Sequence, residues 1–109
     1  MSGNTADLNE IILRVELDGI NDILLKFSDG SINYLGSIIK QYFTAILIHN
    51  LSNFDIYVST TINADDTGLQ GIKTIPANSS VKFYKDSIIQ LSLFSKDNAI
   101  AEVLCYKDM

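Results

Sequence analysis

Apolar residues recur at every second position in several short runs, and this spacing constrains the fold more than any other feature of the sequence. In the first run, Ile11, Leu13, Val15 and Leu17 alternate with mostly polar neighbours. Successive side chains of a β-strand point to opposite faces, so this period predicts a strand with one buried face. Comparable runs follow at 23–27, 32–35, 42–49, 54–58, 72–75, 81–84, 88–94 and 100–106.

Turn signals separate these runs at the spacing of roughly 8–12 residues that is typical of sandwiches and barrels. Asp29-Gly30 is the strongest of them, because both central residues of a type I′ hairpin turn need a positive φ. We therefore predict an all-β fold, an antiparallel β-sandwich of the jelly-roll-like or Ig-like kind, with eight or nine short strands. Segment 36–42 fits either a short helical turn or the approach to the next strand. Segment 42–49 is apolar on both faces, which predicts a central strand covered on both sides.

The chain has 109 residues, which is the size of one domain. We expect a single sandwich over 1–109, with a flexible N-terminus at 1–8, N-terminal strands at 9–35 and the sandwich core at 42–106. The first residues lack the basic flank and apolar run of a signal peptide, and no run of 18 apolar residues occurs. The sequence thus predicts no membrane partner and assembly in a cytoplasm.

Charge and reactive residues argue against several functions. A formal charge of −5 disfavours nucleic-acid binding, which depends on clustered Lys and Arg. One Cys excludes an intramolecular disulfide, and one His excludes a multi-histidine metal site. A His49–Cys105 nucleophile pair is the remaining catalytic option, but Cys105 lies in an apolar alternation that is typical of a buried, inert thiol. We predict no catalytic residue and no cofactor.

The loop 63–68 loosely resembles a calcium loop, because oxygen-bearing side chains alternate and a glycine stands sixth. Thr74 occupies the position that a bidentate Glu would need, so a solvated loop is the better interpretation. Asp65 and Asp66 remain weak cation candidates without a catalytic role.

Five aromatic residues are candidates for an interface or for stacking against a ligand: Phe54, Tyr57, Tyr84, Phe94 and Tyr106. Such residues most often fill a core or a subunit interface, and a sugar-stacking platform is the alternative.

A series of segments in the second half of the chain forms a recognisable pattern: 45–52, 55–59, 71–83, 88–92 and 101–106. In this order they resemble the small β-sandwich proteins of tailed-bacteriophage virions, over about the C-terminal 60 residues. The physics of the turns assigns scaffold roles to five residues: Asn50, Ser52, Pro76, Ala77 and Ser79. Asn and Ser side chains bond to turn backbone, and Pro fixes φ where a strand ends.

The resemblance implies a non-enzymatic virion protein, a capsid decoration or a head–tail or tail accessory subunit that assembles through strand edges and apolar patches. Its expected partners are further copies of itself and the major capsid, portal-vertex or tail proteins, and its expected location is the virion. The apolar content of 47% agrees, because a sandwich this small cannot bury all of it. The alternative is a carbohydrate- or receptor-binding module for adsorption to a host surface.

Overall fold

The computed structural model describes residues 10–28, 31–34, 37–40, 43–61, 72–84 and 90–107. These ranges contain ten β-strands and no helix, which confirms the all-β prediction. The expected number of eight or nine strands was too low, because Ser37–Lys40 also forms a strand. The strands are β1 (Glu10–Asp18), β2 (Ile23–Ser28), β3 (Ser31–Tyr34), β4 (Ser37–Lys40), β5 (Ala45–Asn50), β6 (Ile56–Ser59), β7 (Ile72–Ile75), β8 (Ser80–Tyr84), β9 (Gln90–Phe94) and β10 (Asn98–Tyr106).

The strands form two sheets. One has four strands in the order β1-β10-β5-β8, and the other has six in the order β4-β3-β2-β9-β6-β7. All the described strand pairs are antiparallel, so the predicted antiparallel sandwich is confirmed. Most connections pass from one sheet to the other, which favours the jelly-roll-like option over the Ig-like one.

The core lies between the two sheets and is built by the alternation seen in the sequence. In β1, Leu13, Val15 and Leu17 are buried while the residues between them are exposed. The same alternation runs through β10, whose buried positions are Ala99, Ala101, Val103 and Cys105. The aromatic rings of Phe27 and Phe43 also pack edge to face in this core, with their centroids 6.0 Å apart.

The predicted hairpin between the second and third runs is present. Ser28 lies opposite Ser31 in the β2–β3 register, and residues 29–30 lie outside the described part of the chain. The helical option for 36–42 is wrong for its central residues, because Ser37–Lys40 is a strand at the edge of the six-stranded sheet. Ile39 lies opposite Ile32. The periodicity of this segment fitted both a helix and a strand, and its pairing with β3 selects the strand.

The prediction for segment 42–49 is half right. Its strand, β5, lies between β10 and β8 in the four-stranded sheet. Its inner residues Ile46 and Ile48 are fully buried, but Leu47 and His49 on the other face are only partly buried. A two-layered sandwich covers one face of each sheet, so the outer apolar residues of β5 remain accessible.

Candidate functional site

Asn50, at the end of β5, links two of the connections that run between the sheets, the one from β5 to β6 and the one from β7 to β8. Its side chain is fully buried. Its Nδ2 donates to the carbonyls of Phe54 (2.6 Å), Ile75 (3.0 Å) and Pro76 (3.2 Å). Its Oδ1 accepts from the backbone N–H (2.9 Å) and the hydroxyl (2.7 Å) of Ser52. The turn after β5 and the turn after β7 are therefore held together by one side chain.

The second of these turns is a tight one that begins at Pro76. The Ser79 N–H donates to the Pro76 carbonyl at 3.1 Å, and Asn78 has a positive φ of 61°. Asn tolerates this left-handed conformation better than most residues. Ala77, between them, is partly buried, and the Ser79 carbonyl accepts from the Asn50 N–H at 2.9 Å. The sequence predicted two separate turns, whereas the structure bonds them to each other.

The outer face of the four-stranded sheet carries a continuous row of mostly apolar side chains. Strand register aligns Ile12, Leu104, Leu47 and Lys82 across all four strands. Ile12 is 59% exposed, and Leu47 and Leu104 are partly exposed. A face that is only solvated normally carries polar residues at such positions.

A parallel row extends this surface with two tyrosines. Tyr106, Ala45 and Tyr84 are aligned across β10, β5 and β8, and Tyr84 is 54% exposed. The Lys82 ammonium lies 4.9 Å from the Tyr84 ring centroid and 5.9 Å from that of Tyr106, within cation–π range. We call the set Ile12, Leu47, Tyr84, Leu104 and Tyr106 the outer patch.

Polar residues border the outer patch on its other side. The next row contains Arg14, Glu102, His49 and Ser80, and His49 Nδ1 bonds to the Ser80 hydroxyl at 2.5 Å. An apolar centre with a polar border is the usual layout of a protein–protein interface.

A separate cleft of about 300 Å³ lies where the turn after β5 approaches the turn after β9. It is lined by Asn53, Phe54, Asp55, Tyr57, Lys96 and Asp97, and we call it the Phe54 cleft. The Phe54 side chain is 45% exposed, and the Lys96 ammonium lies 5.6 Å from the Tyr57 ring centroid. The cleft thus combines two aromatic rings with carboxylate, amide and ammonium groups.

Ser95 ties the two walls of this cleft together. It is fully buried, its hydroxyl donates to the Asp55 carbonyl at 3.1 Å, and its oxygen accepts from the Asp97 N–H at 3.2 Å. A buried hydroxyl bonded on both sides fixes the two backbone segments relative to each other.

The five aromatic candidates separate into three groups. Phe54 and Tyr57 line the cleft, whereas Tyr84 and Tyr106 belong to the outer patch. Phe94 is 8% exposed and lies opposite Tyr57 in the β6–β9 register, so it offers little area to a ligand.

The sequence did not predict the polar residues of the cleft, which are Asn53, Asp55, Lys96 and Asp97. They come from two turns about 40 residues apart, as the Ser95–Asp55 bond shows, and only folding brings such turns together. The one available signal was the presence of polar turn residues beside Phe54 and after Phe94.

The two reactive side chains that the sequence singled out lie on opposite faces of the same sheet. Cys105 faces the core opposite Ile46, while His49 lies on the outer face opposite Glu102. Burial raises the pKa of the Cys105 thiol to about 12, so the thiol is neutral at physiological pH. The sheet itself separates His49 from the thiol, so no nucleophile–base pair forms between them.

The cation candidates Asp65 and Asp66 lie outside the described residues. Within the ranges that are described, no group of three or more His, Cys, Asp or Glu residues is placed to hold a metal ion. Over the same ranges, no helix is long and apolar enough to cross a membrane.

Comparison with known proteins gives a similarity of fold. No protein-family model matches the sequence, and no curated protein matches it. One similar solved structure is an HTH_3 family transcriptional regulator from Vibrio cholerae, with a TM-score of 0.59 and 11% identity. The match covers 95% of this chain and 46% of that one, so the chain spans less than half the length of the regulator.

A second structure, the coat protein of Tobacco streak virus, is similar at a TM-score of 0.39 and 12% identity, over 91% of this chain and 86% of that one. Similarity this low carries no argument about function. The regulator match adds that the arrangement of strands occurs in another solved protein.

Proposed function

We propose that this chain is a non-enzymatic assembly subunit that docks on protein neighbours through the outer patch, as a capsid-decoration or head–tail or tail accessory component of a bacteriophage virion. The observation that carries the proposal is the outer patch, an apolar surface that spans all four strands over two adjacent rows, with Ile12 59% and Tyr84 54% exposed. Leaving such area in water is unfavourable by about 25 cal/mol for each Å² that a partner would cover.

The outer face of the four-stranded sheet is large enough for a complete protein–protein interface. Its strands have nine, nine, six and five residues, and at the usual strand spacing they cover roughly 450 Å² in projection. A standard interface takes about 800 Å² of accessible area from each partner, and accessible area exceeds projected area because side chains protrude. A partner would therefore need to cover most of the face rather than one strand.

The setting in a virion is supported by the sequence pattern of segments 45–52, 55–59, 71–83, 88–92 and 101–106, which resembles small virion sandwiches. Asn50 bonds the turn after β5 to the turn after β7. Such a fixed connection between the sheets suits a subunit that must present a rigid surface. In a symmetric oligomer the same patch would be used by every copy. The location of Cys105 and His49 on opposite faces of one sheet supports a role without catalysis.

The first experiment is to measure the mass in solution by light scattering, alone and with candidate capsid, portal-vertex or tail proteins. We expect an oligomer or a complex that Ile12→Lys weakens by at least about tenfold in Kd. Ile20→Lys is the matched control, because Ile20 is 76% exposed and lies in the turn after β1, outside the outer patch.

Equal effects of the two lysines would contradict the outer patch as the docking surface. A chain that stays monomeric at high concentration and binds no virion protein would contradict the assembly function itself.

A further inference from the structure

We propose that the Phe54 cleft binds a neutral saccharide, with the Phe54 ring as its stacking surface. This inference is independent of the assembly function, because the Phe54 cleft does not share any residue with the outer patch. Tyr57, which lines the cleft, is on the six-stranded sheet, whereas the outer patch is on the four-stranded one.

The first argument is that the walls of the cleft are held in place before any ligand binds. The Phe54 carbonyl accepts from Asn50 Nδ2 at 2.6 Å, and the Phe54 N–H donates to the Ser52 hydroxyl oxygen at 3.3 Å. On the other side, Ser95 bonds to the backbone of both Asp55 and Asp97. Binding therefore does not have to order these backbone segments, which lowers its entropic cost.

The second argument is the exposed ring. Phe54 is 45% exposed although it lies in a concave site of about 300 Å³, a volume at the lower end of small-ligand pockets. The face of an aromatic ring carries negative charge density, which attracts the weakly positive C–H groups on the apolar face of a sugar ring. A ligand of one or two sugar rings suits this volume.

The third argument is the polar lining. Asp55 and Asp97 offer carboxylate acceptors, Lys96 offers ammonium donors, and the Asn53 amide offers both. Vicinal hydroxyls are both donors and acceptors, so they match this mixed set. Apolar ligands would leave these polar groups without partners.

The charges in the cleft also argue against charged ligands. Two carboxylates repel an anion, and the Lys96 ammonium already occupies cation–π range of the Tyr57 ring, 5.6 Å from its centroid. The Lys96 ammonium would repel a second cation at this ring. A neutral, hydroxyl-rich ligand avoids both repulsions.

The test is an NMR titration of the ¹⁵N-labelled chain with neutral oligosaccharides, namely maltotriose, cellotriose, chitotriose and mannotriose, at millimolar concentrations. Butylammonium chloride and sialyllactose serve as cationic and anionic probes. We expect at least one neutral oligosaccharide to shift the amide signals of 53–57 and 95–97, while neither charged probe shifts them.

Substitutions then assign the binding to the ring. Phe54→Ala is expected to weaken binding of that oligosaccharide by about tenfold or more, and Phe54→Tyr is expected to restore it. Ile20→Ala is the control, because Ile20 is an exposed apolar residue in the turn after β1, outside both the Phe54 cleft and the outer patch. Thermal unfolding of each variant checks that the fold is kept.

Several results would overturn the proposal. They are the absence of shifts with all four neutral oligosaccharides, shifts with butylammonium or sialyllactose instead, and saccharide binding that Phe54→Ala leaves unchanged. None of these results bears on the solution mass or on the effect of Ile12→Lys, so the two proposals fail separately.

Discussion

The side-chain amide of Asn50 donates a hydrogen bond of 3.0 Å to the carbonyl of Ile75, 25 residues further along the chain. Ile75 ends β7 of the six-stranded sheet, and Asn50 ends β5 of the four-stranded sheet. This bond therefore connects the two layers at the points where the chain leaves them. Asn50 also fixes the Phe54 carbonyl, so the same side chain supports the fold and one wall of the Phe54 cleft.

Removing this amide should destabilise the protein. Asn50→Ala removes a fully buried amide and takes from the buried Ile75 carbonyl, and from the partly buried carbonyls of Phe54 and Pro76, the bonds that this amide donates, so we expect a loss of about 2–4 kcal/mol in the free energy of unfolding. Chemical denaturation measures it. Asn33→Ala, at an exposed position of β3, is the control and should change stability by about 0.5 kcal/mol or less. Equal losses in both variants would show that the Asn50 bonds contribute no specific stability.

Gly19 should be sensitive to any added side chain. Its φ is +83°, and an added Cβ would lie 3.2 Å from the carbonyl oxygen of Lys96. Both the left-handed backbone and the close approach disfavour alanine, so Gly19→Ala should cost about 1–3 kcal/mol of stability. The matched change is Asn78→Gly, at a second positive φ of 61° among the described residues, which removes strain and should be nearly neutral. A neutral Gly19→Ala variant in thermal unfolding would refute this expectation.

Cys105 should make stability fall at alkaline pH. Burial raises the pKa of its thiol from 9.0 to about 12, so the thiol favours the folded state fully below pH 9.0. Above that pH the unfolded chain loses its thiol proton while the folded chain keeps it. The contribution is therefore lost progressively as pH rises toward about 12.

From about pH 9 upward, within the interval from 9.0 to about 12 over which the contribution is lost, denaturation midpoints should fall more steeply for the natural chain than for Cys105→Ala, which lacks the thiol. All groups other than the thiol are common to both chains, so their effects cancel in the comparison. Ellman's reagent should also leave the native thiol unmodified until the protein is unfolded. Rapid labelling of the native protein, or identical pH profiles, would contradict the burial of Cys105.

Ser92 and Asp22 should be energetically coupled. The Ser92 side chain is fully buried, and its hydroxyl donates to Asp22 Oδ2 at 2.7 Å. A double-mutant cycle with Ser92→Ala and Asp22→Ala should give a coupling of about 1–2 kcal/mol in the free energy of unfolding. The pair Ser92→Ala with Glu16→Ala, on different sheets, is the control and should be additive. Additivity in both cycles would show that the Ser92–Asp22 bond has no net effect.

The strands could largely be predicted from local spacing. The buried set Leu13, Val15 and Leu17 follows directly from the period of two, because alternation along a strand depends on chain geometry and not on neighbours. Segment 36–42 is the instructive failure. Its apolar residues fit two periods, and only pairing of Ser37–Lys40 with β3 selects the strand.

The outer patch shows a different limit. Alternation in β1 did not identify Ile12 as part of a surface, because its polar neighbours on the same strand suggested a solvated face. Register places it beside Leu104, which itself lies beside Leu47. Hydrophobic surface is a property of adjacent strands, and sequence spacing gives no information about which strands are adjacent.

By itself, then, the sequence determined an all-β chain of one-domain length, the inner face of most strands and the positions where the chain turns, since these depend on interactions within a few residues. Only the tertiary structure decided that the turn at Asn50 and the turn at Pro76 bond to each other, that Phe54 and Asp97 share a cleft, and that His49 and Cys105 lie on opposite faces of one sheet. The physical reason is that strand order and register join residues that are distant in the chain. Many pairings satisfy the same local pattern, and burial of the common core selects one of them.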